Sequence, residues 1–324
     1  MKVAILDDWF DTLRGLPSFA KLAAHDVTVW TDHTDDVGLL AERLAETEAL
    51  VLIRERTAIR ADLVARLPNL RLISQRSVYP HIDVAACTGA GVMISSDQHD
   101  GTPSYAAAEM TWALLLAVAR QIPKQVAALK GGTWQAAVGT TLRGKILGIY
   151  GYGRIARVVA GYARAFGMEV LVWARAESRE RAASDGLGVA PDKDTFLKTV
   201  DVLSLHMRLK PATRGILTRD DLALMKPSAI LINTARAGLI APGALADALK
   251  AGRPGWAGVD VLDIEPVGPE REPLLSLPNA LCTPHVGYVT REEFDLQFSD
   301  VYDQINAFAA GAPSNVVNPE VLKP

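Results

Sequence analysis

Cysteine is almost absent from this chain of 324 residues: Cys87 and Cys282 stand far apart, outside any metal-ligand spacing. That excludes a disulfide framework, and reduced cytosolic thiols are the plain expectation. An excess of charge is missing too. The 34 Lys and Arg against 37 Asp and Glu leave a formal net charge of −3, with the basic residues scattered. No electrostatic footprint for nucleic acid follows from that. Long apolar runs are lacking as well. Met1-Lys-Val-Ala-Ile-Leu-Asp-Asp8 has too little apolar core for a signal peptide and reads as a buried first strand. The most apolar stretch, Tyr105 to Ala119, contains Glu109 and is short for a bilayer. These absences predict a cytoplasmic protein with no membrane, nucleic-acid or metal site.

What is present is apolar mass, 49% of residues, enough for two ordinary domains. Continuous apolar runs recur as strand candidates at Val3–Leu6, Val27–Trp30, Leu50–Ile53, Leu70–Ser74 and Val92–Ile94. A second series follows at Ile146–Tyr150, Val170–Trp173, Val202–Leu205, Ala229–Asn233, Trp256–Val261 and Leu281–Thr283. Runs rather than alternations suit parallel strands covered on both faces. Helical stretches lie between them, among them Leu39–Thr47, Ala61–Leu67 and Pro242–Ala251, the last stopped by Gly252. The repetition predicts an α/β fold with parallel sheets. A polar loop from Ser95 to Pro103 separates the two series. Thr102 is the expected N-cap, and Pro103 the first residue, of the long apolar helix after it. That helix is apolar almost all round, so a subunit interface and a domain interface are both open as its cover.

The sharpest local signal is Lys145-Ile-Leu-Gly-Ile-Tyr-Gly-Tyr-Gly-Arg-Ile-Ala156. A strand breaks into Gly151-Tyr152-Gly153-Arg154-Ile155-Ala156, and a helix with Ile155, Val158 or Val159, Tyr162 and Phe166 on one face runs to Gly167. This is a dinucleotide-binding fingerprint. Gly151 allows the tight turn, Gly153 lets backbone approach a pyrophosphate, and Ala156 lets the helix pack close to its strand. The helix N-terminus faces the phosphates with N–H groups and a positive dipole end.

Further motifs follow in order: Leu142-Arg-Gly-Lys145, Ala165-Phe-Gly-Met168, Asn233-Thr234-Ala235-Arg236, Gly258-Val-Asp260-Val261 with Glu265-Pro266, and Thr283-Pro-His285-Val-Gly287. In these the chain resembles the D-2-hydroxyacid dehydrogenase family of phosphoglycerate, glyoxylate/hydroxypyruvate and formate dehydrogenases, over nearly its whole length. The resemblance implies two doubly wound parallel-sheet domains. A Rossmann coenzyme domain, residues 99–288, would be inserted into a flavodoxin-like substrate domain, residues 1–98 plus 289–324. The long helix would be a dimerisation element, giving a homodimer.

Chemistry on a 2-hydroxy acid needs a cation for the carboxylate, a proton carrier for the oxygen and an aligned nicotinamide. Arg236, at a strand end, can grip a carboxylate with its planar fork. His285 can exchange a proton near neutral pH, and Glu265 can orient its imidazole. These match the family's Arg, Glu and His. Asp260 matches the acid that bonds the nicotinamide amide, with a turn-capping Asp as the plainer reading. His206 matches a position beside the coenzyme, with a structural histidine as the competitor. Thr234 and Ala235 fall within the same coenzyme-binding motif.

Departures from the family pattern matter. NAD users commonly carry Asp where Ala174 stands, and here Arg175 follows, with Arg208 near the adenosine position. These favour NADP, with NAD the alternative, since Glu177 can also be set against the ribose. Ala237 replaces a common Gly. Gln75-Arg76-Ser77-Val78-Tyr-Pro-His81 replaces a glycine-rich loop whose N–H groups hold the substrate carboxylate. Arg76 is the expected side-chain substitute, with Ser77 and Val78 beside it. Arg54, Arg56 and Arg76 at strand ends would form an uncompensated positive site for a second anionic group. The bland alternative pairs Arg54 and Arg56 with Glu55 and nearby acids. The reading is an NAD(P)-dependent reductase of a 2-keto acid to a D-2-hydroxy acid, with a nucleotide-sensing, corepressor-like protein as the alternative.

Overall fold

The computed structural model of the protein describes residues 1–97 and 105–322. The chain divides into two compact units, Met1–Thr102 with Val289–Pro324, and Pro103–Tyr288. Each is built on one parallel sheet, so the α/β expectation holds.

In the first unit the strands are β1 (Lys2–Ile5), β2 (Asp26–Val29), β3 (Ala49–Val51), β4 (Leu72–Arg76) and β5 (Met93–Asp97), in the order β2-β1-β3-β4-β5. β3 and β4 are buried at every residue, which is why they read as apolar runs. The helix Arg291–Ala309 brings the C-terminal chain back onto this sheet. Thr290 caps it, accepting from Glu293 N at 3.1 Å, and Phe294, Phe298, Val301, Tyr302 and Ile305 are buried along it. Ser74 Oγ donates to Val301 O at 2.8 Å, tying β4 to that helix.

The second unit has seven strands: β6 (Ile146–Tyr150), β7 (Glu169–Trp173), β8 (Gly188–Val189), β9 (Val202–Leu205), β10 (Ile230–Asn233), β11 (Trp256–Val259) and β12 (Ala280–Cys282). Their order is β12-β11-β10-β9-β6-β7-β8. β6 therefore has β7 on one side and β9 on the other, and the strand order reverses there. Crevices at the carboxyl ends beside such a reversal are where open α/β sheets take ligands. The helix Ala106–Ala119 packs on β10, β11 and the helix Arg154–Ala165 of its own unit, burying Trp112, Leu114, Leu115 and Val118. Cover from within the unit thus accounts for much of its apolar surface. Thr102 and Pro103, expected at its start, lie outside the described residues.

Strand ends differ from the sequence expectation by up to three residues and helix ends by up to four, and two differences are instructive. β4 runs Leu72–Arg76 rather than Leu70–Ser74, pairing Ser74-Gln75-Arg76 with Ser95-Ser96-Asp97. Apolarity marks burial, not the ladder, so polar residues inside a buried strand were invisible. The helix expected at Leu39–Thr47 is Val37–Arg43, because Asp36 accepts from Leu39 N at 2.9 Å and fixes its start earlier. β8 is two residues long and left no pattern.

The fingerprint helix is also corrected. Its deepest residues are Ala156, Val159, Ala160 and Ala163, while Ile155, Val158 and Tyr162 are only half-buried and Phe166 is exposed. Small side chains let it sit close to β6, as Ala156 suggested. At its end Gly167 takes φ 70°, and Met168 N and Gly167 N return to Ala163 O and Arg164 O at 3.0 Å each, closing a C-terminal cap.

Close packing at β6 has a measurable consequence. A Cβ on Gly148 would meet Val200 Cγ1 at 2.5 Å and Phe196 Cζ at 2.9 Å. Gly148→Ala is expected to cost about 1–3 kcal/mol through overpacking. The readout is a lower midpoint in thermal unfolding of the coenzyme-free protein; an unchanged midpoint would mean that Phe196 and Val200 yield freely.

Candidate active site

The expected coenzyme and catalytic residues all leave the second sheet at the carboxyl ends of its strands. After β6 the chain turns at Gly151, φ 90°, where a Cβ would lie 2.8 Å from His206 O and 2.5 Å from Met207 Cγ. Only glycine fits between β6 and the exit of β9. Gly153 is the N-cap of the helix Arg154–Ala165, with no side-chain cap and open space around its missing Cβ. An uncapped helix start beside a bare backbone fits a pyrophosphate. The Tyr152 ring is buried in the core instead, its hydroxyl donating to Asp185 at 2.7 Å, so only its backbone is left for the turn.

At the end of β9, Ser204 Oγ and His206 Nε2 are 2.8 Å apart, and burial pushes the His206 imidazole down to about 4. His206 is thus neutral near pH 7. At the end of β7, Ala174 is followed by Arg175, whose guanidinium lies 3.6 Å from Glu177 on the exposed surface. An exposed pair of this kind holds with at most about 1 kcal/mol, so both side chains can turn to a ligand. Arg208 is also exposed.

Three neighbouring strands supply the residues expected to be catalytic. Asp260 N donates to Asn233 O and Thr283 N to Val259 O, both at 2.9 Å, extending the ladder past β10, β11 and β12. Beyond β10, Asn233 binds its own turn: Oδ1 accepts from Ala235 N and Nδ2 donates to Arg236 O, both at 3.0 Å. The Arg236 guanidinium donates to Ala235 O at 2.7 Å. Thr234 Oγ1 and Thr111 Oγ1 lie 2.6 Å apart. Ala237 is absent from the positive-φ residues, so the loss of the family's Gly there costs no strain.

His285 Nδ1 lies 2.6 Å from Glu265 Oε2, both side chains partly exposed. The carboxylate can only accept, so Nδ1 donates and Nε2 is left to exchange a proton. Glu265 is itself held by Leu262 N, which donates to Oε1 at 2.8 Å. His285 has φ 53°, a conformation costing a non-glycine residue on the order of 1 kcal/mol. Asp260 holds it there. Its Oδ1 accepts from Thr283 Oγ1 at 2.5 Å and Val286 N at 2.9 Å, and its Oδ2 from Gly287 N at 2.7 Å. The side chain is buried; burial raises its pKa from the ordinary value, and these hydrogen bonds oppose the rise. The Asp260 carboxylate thus caps the turn that carries His285.

In the first unit, Arg54 takes φ 57° just past β3 and Ser77 takes φ 79° just past β4, with Val78 exposed. The Arg76 side chain is buried, 3.4 Å from Asp300 on the helix Arg291–Ala309. It faces a counter-charge inside its own unit, so the expectation of an uncompensated cation does not hold for it. Desolvation lowers the Arg76 pKa against the pull of Asp300, Glu293 and Asp97. Arg56 Nη1 donates to Asp7 O at 2.6 Å, and its guanidinium stacks 3.9 Å from the Trp9 ring centre.

Sequence reasoning missed Thr111, Thr283, Gln75 and Ser96 as parts of these arrangements. A threonine inside an apolar helix was the one available signal for Thr111. Among the described residues no group of His, Cys, Asp and Glu could hold a metal ion, and no helix is long and apolar enough to cross a membrane.

The family model described as D-isomer specific 2-hydroxyacid dehydrogenase, NAD binding domain, matches residues 112–287. The chain is 35% identical to glyoxylate reductase of Thermococcus litoralis, over 92% of each protein. It is 38% identical to D-3-phosphoglycerate dehydrogenase of Methanocaldococcus jannaschii over 86% of this chain, and spans 53% of that longer protein. Among solved structures, phosphoglycerate oxidoreductase from Vibrio cholerae O395 is 46% identical with a TM-score of 0.92, covering 96% of this chain and 100% of that one. With these matches along its length, and the fingerprint turn and Glu265–His285 pair in place, the chain belongs to the D-isomer specific 2-hydroxyacid dehydrogenase family, whose members are nicotinamide-dependent oxidoreductases.

Proposed function

We propose that the protein reduces a 2-keto acid to a D-2-hydroxy acid, with NADPH favoured over NADH and His285 as the acid. The observation that carries this is the His285 Nδ1–Glu265 Oε2 contact of 2.6 Å, on a loop held by Asp260. The bound dinucleotide supplies the hydride. Arg236 holds the substrate carboxylate. As the keto carbon gains hydride, its oxygen becomes an alkoxide and takes the proton from His285 Nε2. Glu265 stabilises the imidazolium before transfer and fixes the ring orientation. A nucleotide-sensing protein would need the fingerprint turn but not this pair, so turnover is the reading the pair supports.

NADPH is favoured on the exposed Arg175, the absence of an acid at Ala174 and the exposed Arg208. A homodimer is proposed from the helix Ile122–Lys130. Ile122, Val126 and Leu129 form an exposed apolar stripe there, followed by Trp134, 77% exposed, and Val138, 97% exposed. Apolar surface of this extent rarely stays in water.

Three outcomes are expected. His285→Ala should lower kcat for 2-keto acid reduction by about 10²–10⁴-fold while NADPH still binds, measured by fluorescence titration; near-normal turnover would end the assignment. In the unmodified protein kcat/KM should be higher with NADPH than NADH, and Ala174→Asp with Arg175→Ser should move the preference toward NADH. A tenfold preference for NADH at the outset, about 1.4 kcal/mol, contradicts the reading of that strand end. Val138→Asp combined with Leu129→Glu should shift the sedimentation mass from dimer to monomer, and a monomeric parent protein would remove the basis for a dimer.

A further inference from the structure

The helix Ala106–Ala119 carries one hydroxyl on its buried face. Thr111 is 1% exposed, and every other buried side chain of that helix is Ala, Trp, Leu or Val. Valine has nearly the shape of threonine, and a buried hydroxyl without partners costs free energy. This one has two partners. Thr111 Oγ1 donates to Ala107 O at 2.8 Å, one turn back in its own helix, and lies 2.6 Å from Thr234 Oγ1. A threonine hydroxyl has one proton and two lone pairs. With the Thr111 proton given to Ala107 O, Thr234 is the donor of the second bond. The Thr234 side chain is thereby tied to the helix backbone through one hydroxyl, and the direction of its O–H is set.

The helix is a firm support at this place. Thr111, Leu114 and Val118 are spaced i, i+3 and i+7 and share one face. A Cβ on Gly258 of β11 would meet Leu114 Cβ and Val118 Cγ2 at 3.3 Å each, so the missing side chain lets the helix lie close against the sheet. One turn earlier in the helix, Thr111 reaches the turn after β10. Its neighbour Met110 stands beside Gly287, where an added Cβ would lie 3.7 Å from Met110 Cβ. Adjacent residues of one helix thus flank the turns that carry Arg236 and His285.

The side-chain bonds of Asn233 to Ala235 N and Arg236 O, and of Arg236 Nη1 to Ala235 O, lie within the turn itself. They make Ala235 and Arg236 move together, so the guanidinium follows any rotation of the Thr234 backbone. The bond from Thr234 to Thr111 joins that turn to the helix. We infer that Thr111 is a positioning residue for Arg236: from inside the buried helix it holds Thr234, and with it the turn that aims the guanidinium at the substrate's carboxylate. The role given to Arg236 rests on the proposed 2-keto acid reductase function; the bond from Thr111 does not. Thr111 itself touches no substrate.

The test uses the full-length protein with glyoxylate. Thr111→Val keeps the shape and removes both bonds, and it should raise KM for glyoxylate roughly tenfold. The dissociation constant for NADPH, read by fluorescence, should stay within about threefold. Thr111→Ser keeps the hydroxyl and loses the methyl, and its KM should stay within about twofold of the parent. Simple loss of packing would give the opposite order, with Thr111→Ser the worse of the two. Combining Thr111→Val with Thr234→Val should be no worse than the poorer single variant, because both break the same bond. A parental KM in Thr111→Val, equal damage in Thr111→Ser, or effects that multiply in the double variant would each overturn the inference. Amide exchange of Ala235 gives a reading apart from turnover: Thr111→Val should speed it about tenfold relative to amides inside β10. Should Thr111→Val not fold, the same measurement in Thr234→Val decides, faster exchange upholding the inference and unchanged exchange overturning it. If the parent reduces no 2-keto acid with either coenzyme, the functional reading fails by itself, and Ala235 exchange in Thr111→Val still decides whether Thr111 holds the turn.

Discussion

Every chemical group discussed above depends on one constraint: all strands of each sheet are parallel, so all of them release the chain at the same edge. A parallel ladder needs a crossover between every pair of strands, and those crossovers bury both faces of the sheet. Polar residues are therefore driven off the strands to the edges. At the carboxyl edge of the second sheet, β6 delivers the glycine turn, β7 delivers Arg175, β9 delivers His206, and β10, β11 and β12 deliver Arg236, Glu265 and His285. The ladder bonds that run past the strands, Asp260 N to Asn233 O and Thr283 N to Val259 O, carry that order into the loops themselves.

Loops at such an edge gain no ladder of their own, and buried polar side chains supply the missing order. Asp260 holds the His285 turn with Thr283 Oγ1, Val286 N and Gly287 N. Hydrogen bonds to a charged acceptor contribute about 1.5–3 kcal/mol each, enough to offset the left-handed backbone of His285. Gln75 and Ser96 do the same for Ser77 in the first sheet. In both loops a non-glycine residue sits at positive φ, and a buried side chain from a strand or its exit binds the peptides next to it. Proton transfer tolerates little error in distance, which gives rigid loops a functional reason.

Much of this was legible before any coordinates. Apolar runs marked eleven of the strands to within one to three residues, because burial on both faces leaves a compositional trace. Gly151 and Gly167 announced positive φ, and both have it. Arg236, Glu265 and His285 were recognisable from motifs at strand ends. Less visible were the polar ends of β4 and β5, where Ser74, Gln75, Arg76, Ser95 and Ser96 are buried without apolarity to reveal them. Arg76 misled most. Its place after an apolar run suggested a cation for substrate, whereas it pairs with Asp300, a residue more than two hundred positions later in the chain.

The sequence by itself determined the architecture, the glycine turn after β6 and the residue types able to hold a carboxylate and move a proton, because periodicity, glycine and side-chain chemistry are local properties. Tertiary structure alone decided direction and partnership. Arg76 turns to Asp300, Asp260 caps the His285 turn, and Gln75 reaches two carbonyls and a serine on the next strand. A buried polar group goes wherever a partner relieves its desolvation, and that partner is chosen by the fold, not by the neighbours in sequence.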